Sequence, residues 1–212
     1  MKFSRSARAN LSLVPRGSHS DEAPFEAPSD ESLVQGIRAG DAKSRELLYR
    51  RHVDYIAGMS VRLLRSIEEG EDVVQDTFVI AFDRLHMLRD PGALRGWLAA
   101  IAVSQVRRRL ARQRLLGVFG LARALDDAPL DELAIEDTSA EVRSELAALD
   151  IVLGRLPPKQ RIAWMLRYVE DEPLEAVAVS CACSLATAKR WIAAADEVVR
   201  EYVRVSTTEE SR

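Results

Sequence analysis

The sequence predicts an all-α chain, built as two small helical domains joined by an acidic, flexible linker. Three observations lead there. Apolar residues recur at spacings near 3.6 through both halves, with no period-2 run bounded by turn residues. Helix-capping and helix-breaking residues punctuate those stripes at regular intervals. Charge is segregated along the chain: 30 Lys+Arg and 33 Asp+Glu give a net charge of only -3, yet residues 89–114 hold seven Arg against Asp90, a net +6. Residues 126–150 hold nine acids against Arg143, a net -8. Like-charge blocks resist compaction, so the boundary falls between them. The expected organisation is a first domain at 30–114, a linker at 115–139, a second domain at 140–205 and a disordered tail at 206–212. Residues 1–20 are set apart, because Leu13-Val14-Pro15-Arg16-Gly17-Ser18-His19 reads as a thrombin-cleavable expression tag.

Each element has its own warrant. Ser29 or Asp30 can cap a short helix through Arg38, and Gly40-Asp41 ends it and caps the next. That second helix carries Leu47, Leu48, Ile56, Leu63, Leu64 and Ile67, and Glu69-Gly70 offers it a left-handed stop. A third, about Glu71 to Leu88, has acids in its first turn to complement the dipole. Its inner face holds Val73, Val74, Thr77, Phe78, Ala81, Phe82 and Leu85. Arg89-Asp90-Pro91-Gly92 breaks it. The fourth, about Ala93 to Arg114, buries Leu94, Trp97, Leu98, Ile101 and Ala102 and then becomes a run of Arg.

In the second domain a helix from about Ala140 to Leu156 is ended by Pro157-Pro158, since the residue before Pro is pushed out of helical geometry. Pro158 to Val169 follows, then a short helix from Leu174 to Ser180 and a tight turn at Cys181-Ala182-Cys183. Ser184 caps the last helix, which turns Leu185, Ala188, Ile192 and Val199 inward. Short helix, three- or four-residue turn and longer capped helix make a helix-turn-helix pattern.

The side-chain chemistry favours binding over catalysis. No Gly-rich phosphate loop, nucleophile elbow or Ser/His/Asp arrangement is present, and Asp83 with His86 lacks the second carboxylate-x-x-His pair of helical-bundle metal sites. No cofactor and no metal are expected. The two cysteines, Cys181 and Cys183, are too few for a zinc site and too close for a disulfide framework, and read as small buried residues, with a redox switch as the alternative. Arg without Lys on the fourth helix suits phosphate neutralisation and base stacking. No apolar stretch reaches the roughly 20 residues of a bilayer span, so membrane insertion is not expected.

Four strings occur in one order: Glu71-Asp72-Val73-Val74-Gln75-Asp76-Thr77-Phe78, Gly96-Trp97-Leu98-Ala99-Ala100-Ile101-Ala102, Leu156-Pro157-Pro158-Lys159-Gln160-Arg161 and Ser184-Leu185-Ala186-Thr187-Ala188-Lys189. On these the chain resembles the extracytoplasmic-function (ECF, group IV) sigma factors of bacterial RNA polymerase. The resemblance implies a four-helix sigma-2 domain at 30–114 and a sigma-4 helix-turn-helix domain at 140–205. It implies a cytoplasmic, non-enzymatic factor that binds core polymerase, directs it to promoter DNA, assists melting and meets an anti-sigma factor. Asp72, Gln75 and Asp76 would dock on core polymerase. Leu88, Arg89, Ser104, Gln105, Arg107 and Arg108 would meet the −10 element, and Ser184, Thr187, Lys189 and Arg190 the −35 element. Two positions depart from the family at the −10 pocket: Leu88 stands where an aromatic is common, and Ser104 where an Asn is common. A third departure is Ala193-Ala194-Ala195-Asp196-Glu197 on the last helix, whose acids would repel phosphate. The competing reading is a polymerase-independent helix-turn-helix regulator, which leaves the Arg-rich helix and the Asp72/Gln75/Asp76 face unused.

Overall fold

The computed structural model describes residues 28–118, 149 and 151–209. The tag, the 119–139 part of the linker and the first half of the helix expected from Ala140 lie outside the described residues. Within them every regular element is helical. The order is α1 (Asp30–Arg38), α2 (Ala42–Leu64), α3 (Ile67–Arg84), two short 3-10 turns (Leu85–Met87 and Pro91–Ala93) and α4 (Leu94–Val118). Then come α5 (residue 149 and 151–155 of it), α6 (Pro158–Tyr168), α7 (Leu174–Ser180) and α8 (Leu185–Glu209).

Caps fall where short polar side chains can take up orphan amides. The Ser29 hydroxyl accepts from Ser32 N at 3.2 Å, and the Asp41 carboxylate accepts from Lys43 N and Ser44 N. Gly40 makes the turn between α1 and α2 at φ 89°, which only glycine adopts without strain. In the second lobe Ser184 Oγ accepts from Thr187 N at 3.2 Å, as its place before α8 predicts.

One expected stop is displaced. α2 ends at Leu64, with Arg65 in the left-handed region at φ 58°, and Ser66 rather than Glu71 opens α3 by accepting from Glu69 N. Gly70 is therefore inside α3, where its reason is space: a Cβ there would lie 2.5 Å from Val61 Cγ2 and 3.1 Å from the Val61 backbone. The glycine lets α3 approach α2 at its N-terminal end. Ile67 accordingly leaves the α2 stripe and is 41% exposed.

Other boundaries shift outward for local reasons. α4 continues through the expected linker start to Val118, over good helix formers, and Gln113 Nε2 donates to Glu69 Oε1 at 2.9 Å, tying its end to α3. α8 runs to Glu209, into the segment expected to be a disordered tail, with Arg200 on Asp196 and Arg204 on Glu201 as pairs one turn apart. Trp97, Ile101 and Phe82 are half-buried rather than core, and Arg45 covers the Phe82 ring. Leu185, expected to face inward, is exposed at the first turn of α8.

The core of the first lobe is Leu33, Leu48, Ile56, Leu63, Val73, Phe78, Leu94 and Leu98, and that of the second is Ile162, Leu166, Val177, Ala188 and Val199. Each fully buried Leu or Ile contributes about 1.5–3 kcal/mol. Helix α4 is shared: it packs on α2 and α3 on one side and on α7 and α6 on the other. The two lobes thus rest directly against each other, an arrangement that nothing in the sequence signals.

Candidate nucleic-acid and protein interfaces

Helix α3 presents the acidic face that its spacing predicts. At 100° per residue, Asp72, Gln75, Asp76, Val79 and Asp83 fall in an arc of about 100°, opposite buried Val73, Val74, Thr77 and Phe78. Asp72 and Gln75 are exposed and Asp76 half-exposed. Two features of this face escape a linear reading. Val79, in the middle of the arc, is an apolar side chain 65% exposed among carboxylates. Arg109 reaches over from α4, its Nη2 2.9 Å from Asp76 Oδ2 and 3.8 Å from Asp72 Oδ2. Partly exposed pairs of this kind are worth about 0–1 kcal/mol, so an incoming guanidinium can replace Arg109. The periodicity held the signal for Val79, one turn past Gln75 and Asp76. Arg109 needed the α3–α4 packing.

The residues expected at the −10 element divide between surface and interior. Arg89, Ser104 and Arg108 are exposed and Arg107 is half-buried. Leu88 and Gln105 are 6% and 7% exposed. The Leu88 side chain belongs to the core, and its carbonyl accepts from the Arg38 guanidinium, which also reaches Leu85 O. Gln105 Oε1 accepts from Arg108 Nη1 at 3.3 Å. In this conformation neither presents itself to a nucleotide, because the apolar stripe of α4 and the return of the 85–93 segment onto α1 bury both. That segment is firmly held, with Asp90 Oδ1 accepting from Gly92 N at 2.9 Å and the Arg38 tie behind it. Arg89 projects from it.

Further along α4, Ser104, Arg107, Arg108 and Arg114 line one wall of a cleft of about 410 Å³ whose other wall is Pro158, Lys159 and Ile162 of α6. Four cations from two lobes therefore face one open space, and they attract phosphate by charge alone. Arg107 also donates from Nη1 to the carbonyl of Cys181 at 3.0 Å, across the lobe junction.

The helix-turn-helix forms as its spacing predicts. Ala182 takes φ 50° at the turn, and amides of residues 181–183 close back onto the carbonyls of Val177, Val179 and Ala178. Lys189 and Arg190 are exposed on the first turns of α8, while the Ser184 and Thr187 hydroxyls sit 2.9 Å apart at the cap. Of the two acids between Ala193 and Glu197, Asp196 is paired with Arg200, while Glu197 is exposed and has no ion pair among the described residues. Cys181 is buried and Cys183 half-buried, both as free thiols. Burial, then the neighbouring Cys183, pushes the Cys181 thiol up to about 12, and burial also raises Cys183, so neither is an activated thiolate. Among the described residues no group of His, Cys, Asp and Glu is placed to hold a metal ion, and no helix is long and apolar enough to cross a membrane.

Comparison with known proteins supplies the context for these surfaces. Residues 48–115 match the family described as Sigma-70 region 2, and residues 146–195 the family described as Sigma-70, region 4. The RNA polymerase sigma-H factor of Pseudomonas aeruginosa is 27% identical over 177 residues, covering 80% of this chain and 91% of that protein. The ECF RNA polymerase sigma factor SigE of Mycolicibacterium smegmatis is 24% identical over 197 residues, covering 93% and 73%. Two solved structures share the fold at 22% identity. The sigma factor RpoE in complex with the anti-sigma factor NepR from Bartonella quintana has a TM-score of 0.61 over 78% of this chain and 98% of that one. CnrH in complex with the cytosolic domain of CnrY has a TM-score of 0.59 over 84% and 99%.

Proposed function

The chain belongs to the sigma-70 family, as an extracytoplasmic-function sigma factor, and from that premise we propose how its surfaces divide the work. As a sigma factor it binds core RNA polymerase, directs it to promoters and assists melting; such factors initiate transcription without bond chemistry of their own. We assign the cytoplasm as its place of action, where core RNA polymerase works, and an anti-sigma factor as a partner, by likeness to a solved sigma factor held by one.

The α3 face is the polymerase-docking surface in this reading. Asp72, Gln75 and Asp76 offer acceptors to arginines of the partner in charge-assisted bonds, and Val79 adds an apolar anchor that such a ring would shield from water. Arg109 holds the carboxylates in place until the partner's cations take over. The Arg-rich wall of α4, with Ser104 and Arg108 exposed and Arg107 half-buried, and with Arg89 projecting from the segment before it, takes the −10 strand: the cations neutralise phosphates and their planes stack on unpaired bases. Leu88 and Gln105 support that wall from beneath. Lys189 and Arg190, with the N-terminus of α8 behind Ser184 and Thr187, take the −35 duplex.

The observation that carries the proposal is the presence of an acidic face on α3 and a basic wall on α4 within one lobe, which a duplex-binding regulator does not need. Capture of the chain by core polymerase, followed by run-off transcription from a promoter library, tests it. Core-dependent transcripts are expected. Tight duplex binding with no affinity for core would overturn it.

A further inference from the structure

One apolar side chain of the helix-turn-helix has no use in the surfaces described so far. Leu185 opens α8 and is 38% exposed. The inward positions of the following turns belong to Ala188, Ile192, Ala195 and Val199, all buried. Leu185 lies off that stripe. At 100° per residue it stands at the edge of an exposed arc of about 140° that runs through Lys189, Ala193, Ala186 and Arg190. Its backbone is fixed by the cap, where Ser184 Oγ accepts from Thr187 N at 3.2 Å and Ser184 O from Ala188 N at 2.9 Å. A large apolar side chain therefore projects in a set direction beside two cations.

The chemistry of the arc is narrow. Lys189 and Arg190 are donors without acceptors. The hydroxyls of Ser184 and Thr187 stand 2.9 Å apart and serve the cap. No Asn, Gln, Asp or Glu occurs from Leu185 to Ile192, so these two turns hold no carboxylate to accept from N4 of cytosine and no amide to pair with N6 and N7 of adenine. What remains is donation to guanine or phosphate, and apolar contact. The feature of a base edge that apolar contact distinguishes is the C5 methyl group of thymine. A recognition helix lies in the major groove with its N-terminal residues against the base edges, and Leu185 is the first residue of α8.

We propose that Leu185 determines specificity in the −35 duplex by packing on the C5 methyl group of a thymine. The proposal rests on the −35 assignment above and adds to it the identity of a base. Lys189, one turn further along the same edge, holds the backbone and sets the register, and Leu185 makes the choice. A methyl group against the leucine removes water from both, whereas cytosine or uracil leaves a gap at that point. One buried methyl group is worth about fourfold in affinity.

The test selects duplexes from a library randomised across the −35 element, with the full chain bound to core polymerase and with the full chain alone. Each thymine of the selected duplex is then replaced by uracil, which removes the methyl group and nothing else. At one thymine the replacement should weaken binding about fourfold. Leu185→Ala should bind the thymine and uracil duplexes about equally, with native circular dichroism. Lys189→Ala should bind both more weakly and keep their ratio. Leu185→Asn should move the selected base from thymine towards adenine. A selected sequence with no uracil-sensitive thymine, or a uracil effect that Leu185→Ala leaves intact, would overturn the role of Leu185 and leave the −35 assignment standing. Loss of core capture by Leu185→Ala with its base preference unchanged would also overturn it, and would make Leu185 a contact to protein. Absence of any selected sequence would remove the −35 assignment and the role of Leu185 together.

Discussion

Helices α4 and α8 are both 25 residues long and both belong to surfaces assigned to DNA, yet they hold their charges in opposite ways. On α4 three of the cations are committed: Arg107 bonds Cys181 O, Arg108 bonds Gln105 and Arg109 bonds Asp76, while Arg112 and Arg114 further along are exposed. On α8, Lys189 and Arg190 are exposed and paired with no described residue, while the later turns satisfy themselves through Arg200 with Asp196 and Arg204 with Glu201. The difference follows from position. α4 lies between the lobes and packs on helices of both, whereas α8 packs on α6 and α7 and leaves one flank to solvent. Arginines held in fixed directions suit capture of an irregular single strand, where orientation matters, and mobile bases suit the uniform phosphates of a duplex.

The largest effect that could break this contrast concerns the face that α4 orders through Arg109. Asp72→Arg with Asp76→Arg replaces two acceptors, each worth about 1.5–3 kcal/mol to a charged donor, so core-polymerase affinity should fall by about two to four decades. Both side chains lie outside the apolar stripe, and circular dichroism should remain native. A folded double variant that transcribes normally would remove the docking surface from α3.

The contrast itself is sharpened by comparing Arg107→Ala with Arg108→Ala against Lys189→Ala with Arg190→Ala. The α4 pair should lower open-complex formation and reduce the salt slope of binding by about one unit for each phosphate no longer neutralised. The α8 pair should mainly weaken initial −35 binding. A pre-melted promoter bubble should rescue the α4 variant better than the α8 variant. Rescue of neither, or a far more damaging α8 pair, would reverse the weights given to the two helices.

A smaller effect separates the packing of the lobes. Gly70→Ala, favourable for an isolated helix by about 0.5–1 kcal/mol, should nonetheless destabilise the first lobe by about 1–3 kcal/mol, because the new Cβ overpacks Val61. A rise in Tm would show that α2 and α3 yield at this point.

The smallest is a difference in acid response. Desolvation lowers the pKa of His52, against the opposing pull of Asp30, whose Oδ2 is 3.2 Å away. A base depressed on folding binds more protons when unfolded, so its neutral burial favours folding above the unfolded value of about 6.5 and the advantage shrinks as pH falls below it. All histidines outside the tag, His52 and His86, are in the first lobe. Hydrogen exchange between pH 7 and 5 should therefore quicken around α1 and α2 before the helix-turn-helix. His52→Gln should remove most of the difference.

Much of the fold is local and was legible as such. Period 3.6, Asp41 and Ser184 as caps, Pro157-Pro158 as a break and the turn at Cys181 are decided within a few residues, by backbone sterics and by where orphan amides find oxygen. The acidic arc of α3 is likewise a matter of 100° per residue. What the sequence could not decide depends on partners distant along the chain. Gly70 reads as a stop until α2 is laid against α3, and then as a point of close approach. Leu88 and Gln105 read as surface until the 85–93 segment folds back on α1 and the apolar stripe of α4 turns inward. Arg109 reads as one more cation of the Arg-rich helix until it meets Asp76. The physical reason is common to all of these. Helix propensity and capping act over one or two turns, whereas burial and charge pairing are settled by which faces the tertiary fold brings within a few ångströms, and no spacing along the chain encodes that distance.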